Sequence, residues 1–372
     1  MMGTVRQLAA EVERGLREAH PTLRKTVITK VALVVGAMLE ARTPNTVELA
    51  HLLPLDTERQ DLREQWRRRL LKNPLLSGAA LLEPWVRHAL AAAGRNGQTV
   101  VLSLDQTDLG ERFAVLMLGL VVGDRVLPRA WAVEAGPANL GFDRQRTLLE
   151  YVRDGLPAGV EVLLLADRFY PSTALLEWLH RQGWHYRLRL KSNLSVDPGF
   201  GDIVTTGDLA TGYTERGLPD VCLFGGGVPT NLGILHEVGH PEPWIIAMDC
   251  VPTRAAVRDY GRRWSIEPMF SDFKSRGFDL EATPLRAPDR LDRLLVIMAL
   301  AMHGCVRVGQ EEARERPNPL EKKRKRRRIR TLGPLESSPA APSLGLSAVF
   351  DCSGDDCKCN NPYPPSIASA RR

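Results

Sequence analysis

Residues 99–191 constrain the fold most, because their apolar periodicity changes in a fixed order. The run TVVLSLD at 99–105 is short, apolar and β-branched, and predicts a buried strand with Asp105 at its exit. Two more apolar runs follow in RFAVLMLGLVVGDRVLPRAWAVE, separated by Gly123-Asp124, a pair that favours a tight hairpin. Residues 143–155 take a helical period, opening on Asp143 and closing at Gly155. VEVLLLA at 160–166 predicts another buried strand, with Asp167 at its exit. Pro171 opens a helix over 171–182, and HYRLRLK at 185–191 adds a strand. The expected order is strand-strand-strand-helix-strand-helix-strand, with acids ending the first and fourth strands. An Asp after a strand is commonly a turn former, so neither aspartate alone marks a site. Asp108, three residues on, is the rival to Asp105.

A second constraint lies at 260–274, YGRRWSIEPMFSDFK. Tyr260, Arg263, Glu267 and Lys274 stand at offsets of 0, 3, 7 and 14. At about 100° per residue those offsets fall within roughly 60° of one another on a helix. One face then carries a phenol, two cations and a carboxylate, whereas Asp259 and Asp272 point elsewhere. Such a face suits a site that grips a phosphate and a metal: the carboxylate holds the metal, and the cations hold phosphate oxygens. Pro268 interrupts the pattern directly after Glu267, so a bend there puts the place of Lys274 in question.

Tyr-x2-Arg-x3-Glu-x6-Lys resembles the signature of one branch of the DDE-type insertion-sequence transposases. The resemblance spans roughly 25–310 and is strongest at 255–280 and at the two aspartate strands. It implies that Glu267 is the third metal-binding acid, after Asp105 and Asp167, and that Tyr260, Arg263 and Lys274 contact DNA near the cut. It also implies a ribonuclease-H-like fold, in which the strands bearing Asp105 and Asp167 are neighbours. The aspartates are 62 residues apart, and 100 residues separate Asp167 from Glu267. The longer gap implies an insertion at about 192–245, which this branch also has. Trp244 is a candidate to stack on a flipped base there, or else a packing residue.

Three converging carboxylates suit hard divalent ions, Mg²⁺ or Mn²⁺ and two of them by the resemblance. The catalytic core has no His/Cys cluster of zinc spacing and no Walker-type loop. The resemblance implies nicking at each transposon end, then joining of the freed 3′-hydroxyl to a target; the joining is a transesterification, which conserves bond energy and needs no nucleotide. The resemblance implies double-stranded DNA, both ends and target, as partner, and a homodimer on paired ends. The alternatives are a nuclease of the same fold without strand transfer, or a catalytically silent DNA-binding descendant.

Net charge is +6, and residues 311–330 alone, with ten Lys/Arg against four Glu, account for +6. The run KKRKRRRIR, which includes Lys322 and Arg324, is expected to be an arm that touches phosphates without sequence preference; a plain solvated tail is the alternative. The tail beyond it is expected to be disordered, and its Cys352, Cys357 and Cys359 match no strong zinc spacing. Its odd composition raises the question whether this copy is active. The scattered cysteines and the lack of a long apolar run or signal layout point to a reduced, cytoplasmic, nucleoid-associated protein without a membrane span.

Residues 1–95 are helical in pattern, and 57–72 form a basic helix that includes Arg63, Arg67, Arg68 and Arg69. Arg67 and Arg68 are expected to bind DNA, as a helix-turn-helix would. The expected fold class is α/β: a ribonuclease-H-like mixed sheet interrupted by a β-rich insertion and preceded by a small all-α domain. The expected parts are a helical DNA-binding domain at 1–95, a catalytic core at 96–191 and 246–310, an insertion at 192–245, and a basic arm with its tail at 311–372.

Overall fold

A computed structural model describes residues 2–315, apart from Gly226 and Gly277. The readings of the basic run with Lys322 and Arg324, and of the tail cysteines, therefore lie outside the described residues.

Five helices come first: α1 (Met2–Ala19), α2 (Lys25–Ala41), α3 (Thr46–Leu52), α4 (Gln60–Leu71) and α5 (Gly78–Ala93). α2 is buried along most of its length, including Val27, Ile28, Val31, Val35 and Met38. Asn45 starts α3 by accepting a hydrogen bond from Val47 N at 3.0 Å. α4 is the expected basic helix, but Arg63 points inward. Its guanidinium donates to the carbonyls of Ala50, His51, Leu53 and Thr57. Carbonyls at a helix C-terminus have no partner within the helix, and a cation there also suits the helix dipole. Arg63 thus closes the end of α3.

The sheet begins with β1 (Val100–Leu109), β2 (Phe113–Val122) and β3 (Arg125–Ala135), an antiparallel meander. The β2–β3 turn is Gly123-Asp124, as expected; Val122 pairs with Arg125, and Gly123 takes a positive φ of 62°. α6 (Phe142–Asp154) then leads to β4 (Val162–Ala166), parallel to β1. All five β4 residues are buried, as a strand covered on both faces must be. α7 (Thr173–Gln182) leads to β5 (His185–Arg189), parallel to β4. α7 starts after Ser172, whose hydroxyl accepts from Leu175 N, rather than at Pro171.

Residues after 192 do not leave the sheet. β6 (Ser195–Asp197), β7 (Val204–Thr205), α8 (Thr206–Ala210), β8 (Glu215–Leu223) and β9 (Val228–Leu235) precede β10 (Trp244–Met248). β10 lies antiparallel between β5 and β9, and the whole is one ten-stranded sheet in the order β3-β2-β1-β4-β5-β10-β9-β8-β6-β7. Next come α9 (Arg254–Asp259), a 3₁₀ segment (Tyr260–Ser265), α10 (Ile266–Ser271), a π turn (Asp272–Arg276) and the long α11 (Pro288–Glu315).

One buried apolar cluster runs from α1 and α2 through the sheet to α11. Trp131 on β3 donates to Asp292 on α11 at 2.8 Å and fixes that helix to the sheet. A smaller cluster of Leu235, Ile246, Met248, Ala256, Val257 and Tyr260 seats α9 on β9 and β10. Gly233 permits that seat: a Cβ there would stand 2.3 Å from Val257 Cγ2. Among the described residues, no helix is long and apolar enough to cross a membrane. The result is a mixed α/β protein with a large mixed sheet, consistent with the expected ribonuclease-H-like arrangement of its first five strands.

Candidate active site

Asp105 does not end its strand, as the sequence suggested; β1 continues to Leu109 because β2 keeps pairing with it. What ends near Asp105 is the pairing with β4. The last parallel partners are Leu104 and Ala166, so Asp105 and Asp167 are the next residues on neighbouring strands. The two carboxylates come to one edge through strand register. Asp108 lies three positions from Asp105, which puts it on the opposite face of β1. Its carboxylate accepts from Gln106 Nε2, which also donates to Ala138 O. Asp108 therefore lies on the face of β1 away from Asp105.

Asp105 is held from three sides. Gln106 N donates to Oδ1 at 2.9 Å, and the Tyr170 hydroxyl donates to the same oxygen at 3.3 Å. Arg263 Nη1 donates to Oδ2 at 2.9 Å. The second nitrogen, Nη2, donates to Glu267 Oε1 at 3.0 Å, so one guanidinium bridges two of the three expected acids. The Tyr260 hydroxyl donates to Asp167 Oδ1 at 3.1 Å. Tyr260 is fully buried and Arg263 is 5% exposed, whereas the Glu267 side chain is 59% exposed. Arg263 Nε is buried without a partner among the described residues.

The electrostatics follow from this packing. Burial pushes Asp105 above the usual carboxylate value; Arg263 opposes the shift, and Asp167 adds to it. Burial likewise raises the phenols of Tyr170 and Tyr260, next to Asp105 and Asp167, so both stay protonated donors. Burial acts to lower Arg263, but Tyr260, Asp105, Asp167 and Glu267 outweigh it and hold the guanidinium charged.

The single α-helical face expected for the signature needs correction. The backbone changes from α to 3₁₀ at Tyr260, back to α at Ile266 and to π at Asp272. Each winding turns the chain by a different angle per residue, so the 100° arithmetic fails over fourteen residues. Pro268 sits in the first turn of α10, where proline is tolerated. Tyr260, Arg263 and Glu267 still converge, because they lie within the first two segments. Lys274, beyond the change to π winding, lies with Nζ 3.9 Å from the Glu281 carboxylate.

Other expected residues fall as follows. Trp244 packs edge-on against Tyr260, with ring centroids 5.3 Å apart, and lies 6.0 Å from Trp264. It braces the signature segment from beneath. Arg67 donates to Thr46 Oγ1 and is half-buried, and Arg68 pairs with Glu64 at 2.7 Å on the exposed side of α4. Sequence reasoning missed Tyr170 and Phe169. A phenol three residues after an acid at a strand exit is the signal that would have found Tyr170, because the turn folds it back across β1.

No three His, Cys, Asp or Glu side chains among the described residues are gathered as a ready metal cage. The donor chemistry nevertheless fits a hard divalent ion. Asp105 and Asp167 offer carboxylate oxygens at one edge, and a cation, the Arg263 guanidinium, already stands between Asp105 and Glu267.

No curated protein matches the chain. A family model does match: residues 143–302 correspond to the transposase DDE domain. That stretch holds Asp167, Tyr260, Arg263, Glu267 and Lys274, with Asp105 ahead of it. The match, over the segment that carries the signature, supports a DDE-type transposase.

Proposed function

We propose that this chain is a transposase of the branch marked by Tyr-x2-Arg-x3-Glu-x6-Lys. It cuts DNA at transposon ends and joins the freed 3′-hydroxyls to a target. The observation that carries this reading is the convergence of Asp105 and Asp167, one register step past the β1–β4 pairing, with Arg263 and Glu267 across them.

Asp105, Asp167 and Glu267 would hold Mg²⁺ or Mn²⁺. Such ions, when bound, make water or a 3′-hydroxyl a better nucleophile and neutralise the leaving oxygen. The other groups of this chain orient the acids. Tyr170 and the Gln106 amide fix Asp105, Tyr260 fixes Asp167, and Arg263 supplies the positive charge that lets Asp105 and Glu267 lie close together. By the resemblance, Arg263 would also contact DNA near the cut. Residues 1–95 and the basic run at 322–330 are assigned to DNA binding and 192–245 to the insertion, and two copies act on paired ends.

The test is cutting of the element's own flanked ends with Mg²⁺ or Mn²⁺. Glu267→Ala should lose about a thousandfold or more in rate while still binding the ends, because metals contribute several kcal/mol of charge stabilisation. Cutting by Glu267→Ala at the wild-type rate would remove Glu267 from the site. Joined products from a tagged donor and a target plasmid separate a transposase from a nuclease of the same fold.

A further inference from the structure

The turn after β4 carries Asp167-Arg168-Phe169-Tyr170, closed by a hydrogen bond from Tyr170 N to Asp167 O at 3.2 Å. It sorts its two aromatic rings to opposite sides. Tyr170 is 4% exposed and turns in to Asp105, while Phe169 is 63% exposed. A phenyl ring left in water two residues from a catalytic acid forgoes the burial that usually stabilises it.

The surroundings of Phe169 are basic. Lys191 Nζ lies 4.9 Å from the ring centroid, in a cation–π contact. Arg168 and Arg189 share one carboxylate, that of Glu242, at 3.1 and 3.3 Å. Lys191 thus stands beside an exposed aromatic ring, with Arg168 next to that ring in sequence and Arg189 two residues before Lys191, the two arginines sharing one acid. Cations beside an open ring match a polyanion whose bases have π-faces, the pairing by which proteins hold single strands.

We propose that Phe169 is a nucleobase-stacking residue for the strand led past Asp167, with Lys191 on an adjoining phosphate. A base offers its face only where it is unpaired or terminal, so the ligand is an unpaired nucleotide next to the cut. The proposal rests on the transposase reading of the acid site. It assigns Phe169 to substrate positioning rather than to chemistry.

The probe is a duplex with an unpaired 3′ overhang carrying 2-aminopurines, titrated with the full chain in metal-free buffer. A fully paired duplex with 2-aminopurine inside is the control. The wild type should prefer the overhang and quench its fluorescence. Phe169→Ala should bind the overhang roughly 5- to 150-fold more weakly, the range for loss of one base–aromatic stack, and lose the quench. Its affinity for the paired duplex and its melting temperature should stay at wild-type values. Phe169→Trp should restore overhang binding and quench, which a merely structural role would not produce. Unchanged overhang binding and quench in Phe169→Ala would overturn the proposal. If Glu267→Gln then still abolished cutting, the acid-site reading would stand without it. Wild-type cutting by Glu267→Gln would instead bring down the reading beneath the proposal.

Discussion

Two buried arginines do opposite things in this molecule. Arg63 is 3% exposed and Arg263 5%, so neither can be a solvated surface cation. Arg63 spends its hydrogen bonds on neutral carbonyls within thirteen residues of itself, at the end of α3 and the loop beyond. Arg263 spends its bonds on two carboxylates, one of them 158 residues away in sequence, and leaves Nε unpartnered among the described residues. Carbonyls cannot change charge, and the one carboxylate near Arg63, Glu58 at 4.0 Å, is almost fully exposed, so the arrangement around Arg63 is fixed mainly by neutral groups. Carboxylates can lose a proton or gain a cation, so the arrangement around Arg263 is open to exchange. Burial of an arginine alone therefore does not mark a site; the chemistry of its partners does.

The sharpest way to break this comparison is Arg63→Ala. It strands several carbonyls at the end of α3, and the expected cost is about 3 kcal/mol of unfolding free energy. Urea denaturation measures it, while the cutting rate per folded molecule should be unchanged. A normal urea midpoint with impaired DNA binding would reverse the assignment and make Arg63 functional.

Arg263→Ala, whose partners are part-exposed, should cost somewhat less, roughly 2 kcal/mol, and should do so in a pH-dependent way. The folded-state pKa of Asp105 is raised above its ordinary 3.8, chiefly by burial. A raised carboxylate contributes stability below its unfolded value and loses that contribution as pH rises through its folded value. Without Arg263, only the Gln106 amide and the Tyr170 hydroxyl still oppose burial and Asp167, so the shift grows and the loss extends to higher pH. The destabilisation of Arg263→Ala should therefore be larger at pH 8 than at pH 5, and adding Asp105→Asn should flatten the difference. Equal destabilisation at both pH values would mean that Arg263 is packing, like Arg63, and not the counter-charge of Asp105.

The smallest expected effect is that of Tyr170→Phe. It removes one hydrogen bond of 3.3 Å to Asp105 and keeps the ring, so about 1 kcal/mol or less should be lost. Arg263→Ala combined with Tyr170→Phe should cost more than the sum of the two, since both act on the same carboxylate. Strict additivity would show that they hold Asp105 independently.

Much of the fold was legible because the signals are local. The Gly123-Asp124 hairpin, the apolar run of β4 and the helix that ends at Gly155 each follow from a short window of sequence. Asp167 was correctly placed one residue past its strand. Asp105 was expected at a strand end but sits inside β1, because strand length depends on the partner, and β2 continues where β4 stops. The basic face of α4 was legible as charge but not as burial. Nothing local distinguishes Arg63, turned under α3, from Arg68, exposed beside Glu64.

The sequence by itself determined which residue types are present and in what order: two acids at strand positions, then a phenol, a cation and a carboxylate in one short helical stretch. It also determined the strand and helix order, since periodicity acts within a few residues. Only the tertiary structure decided what the phenol and the cation face. Tyr260 meets Asp167, and Arg263 joins Asp105 to Glu267, because β1 and β4 lie side by side and α9 rests on β9 and β10. Lys274 falls to Glu281 because the helix changes its winding on the way. Those outcomes depend on register and on packing between segments far apart in the chain, which no local pattern encodes.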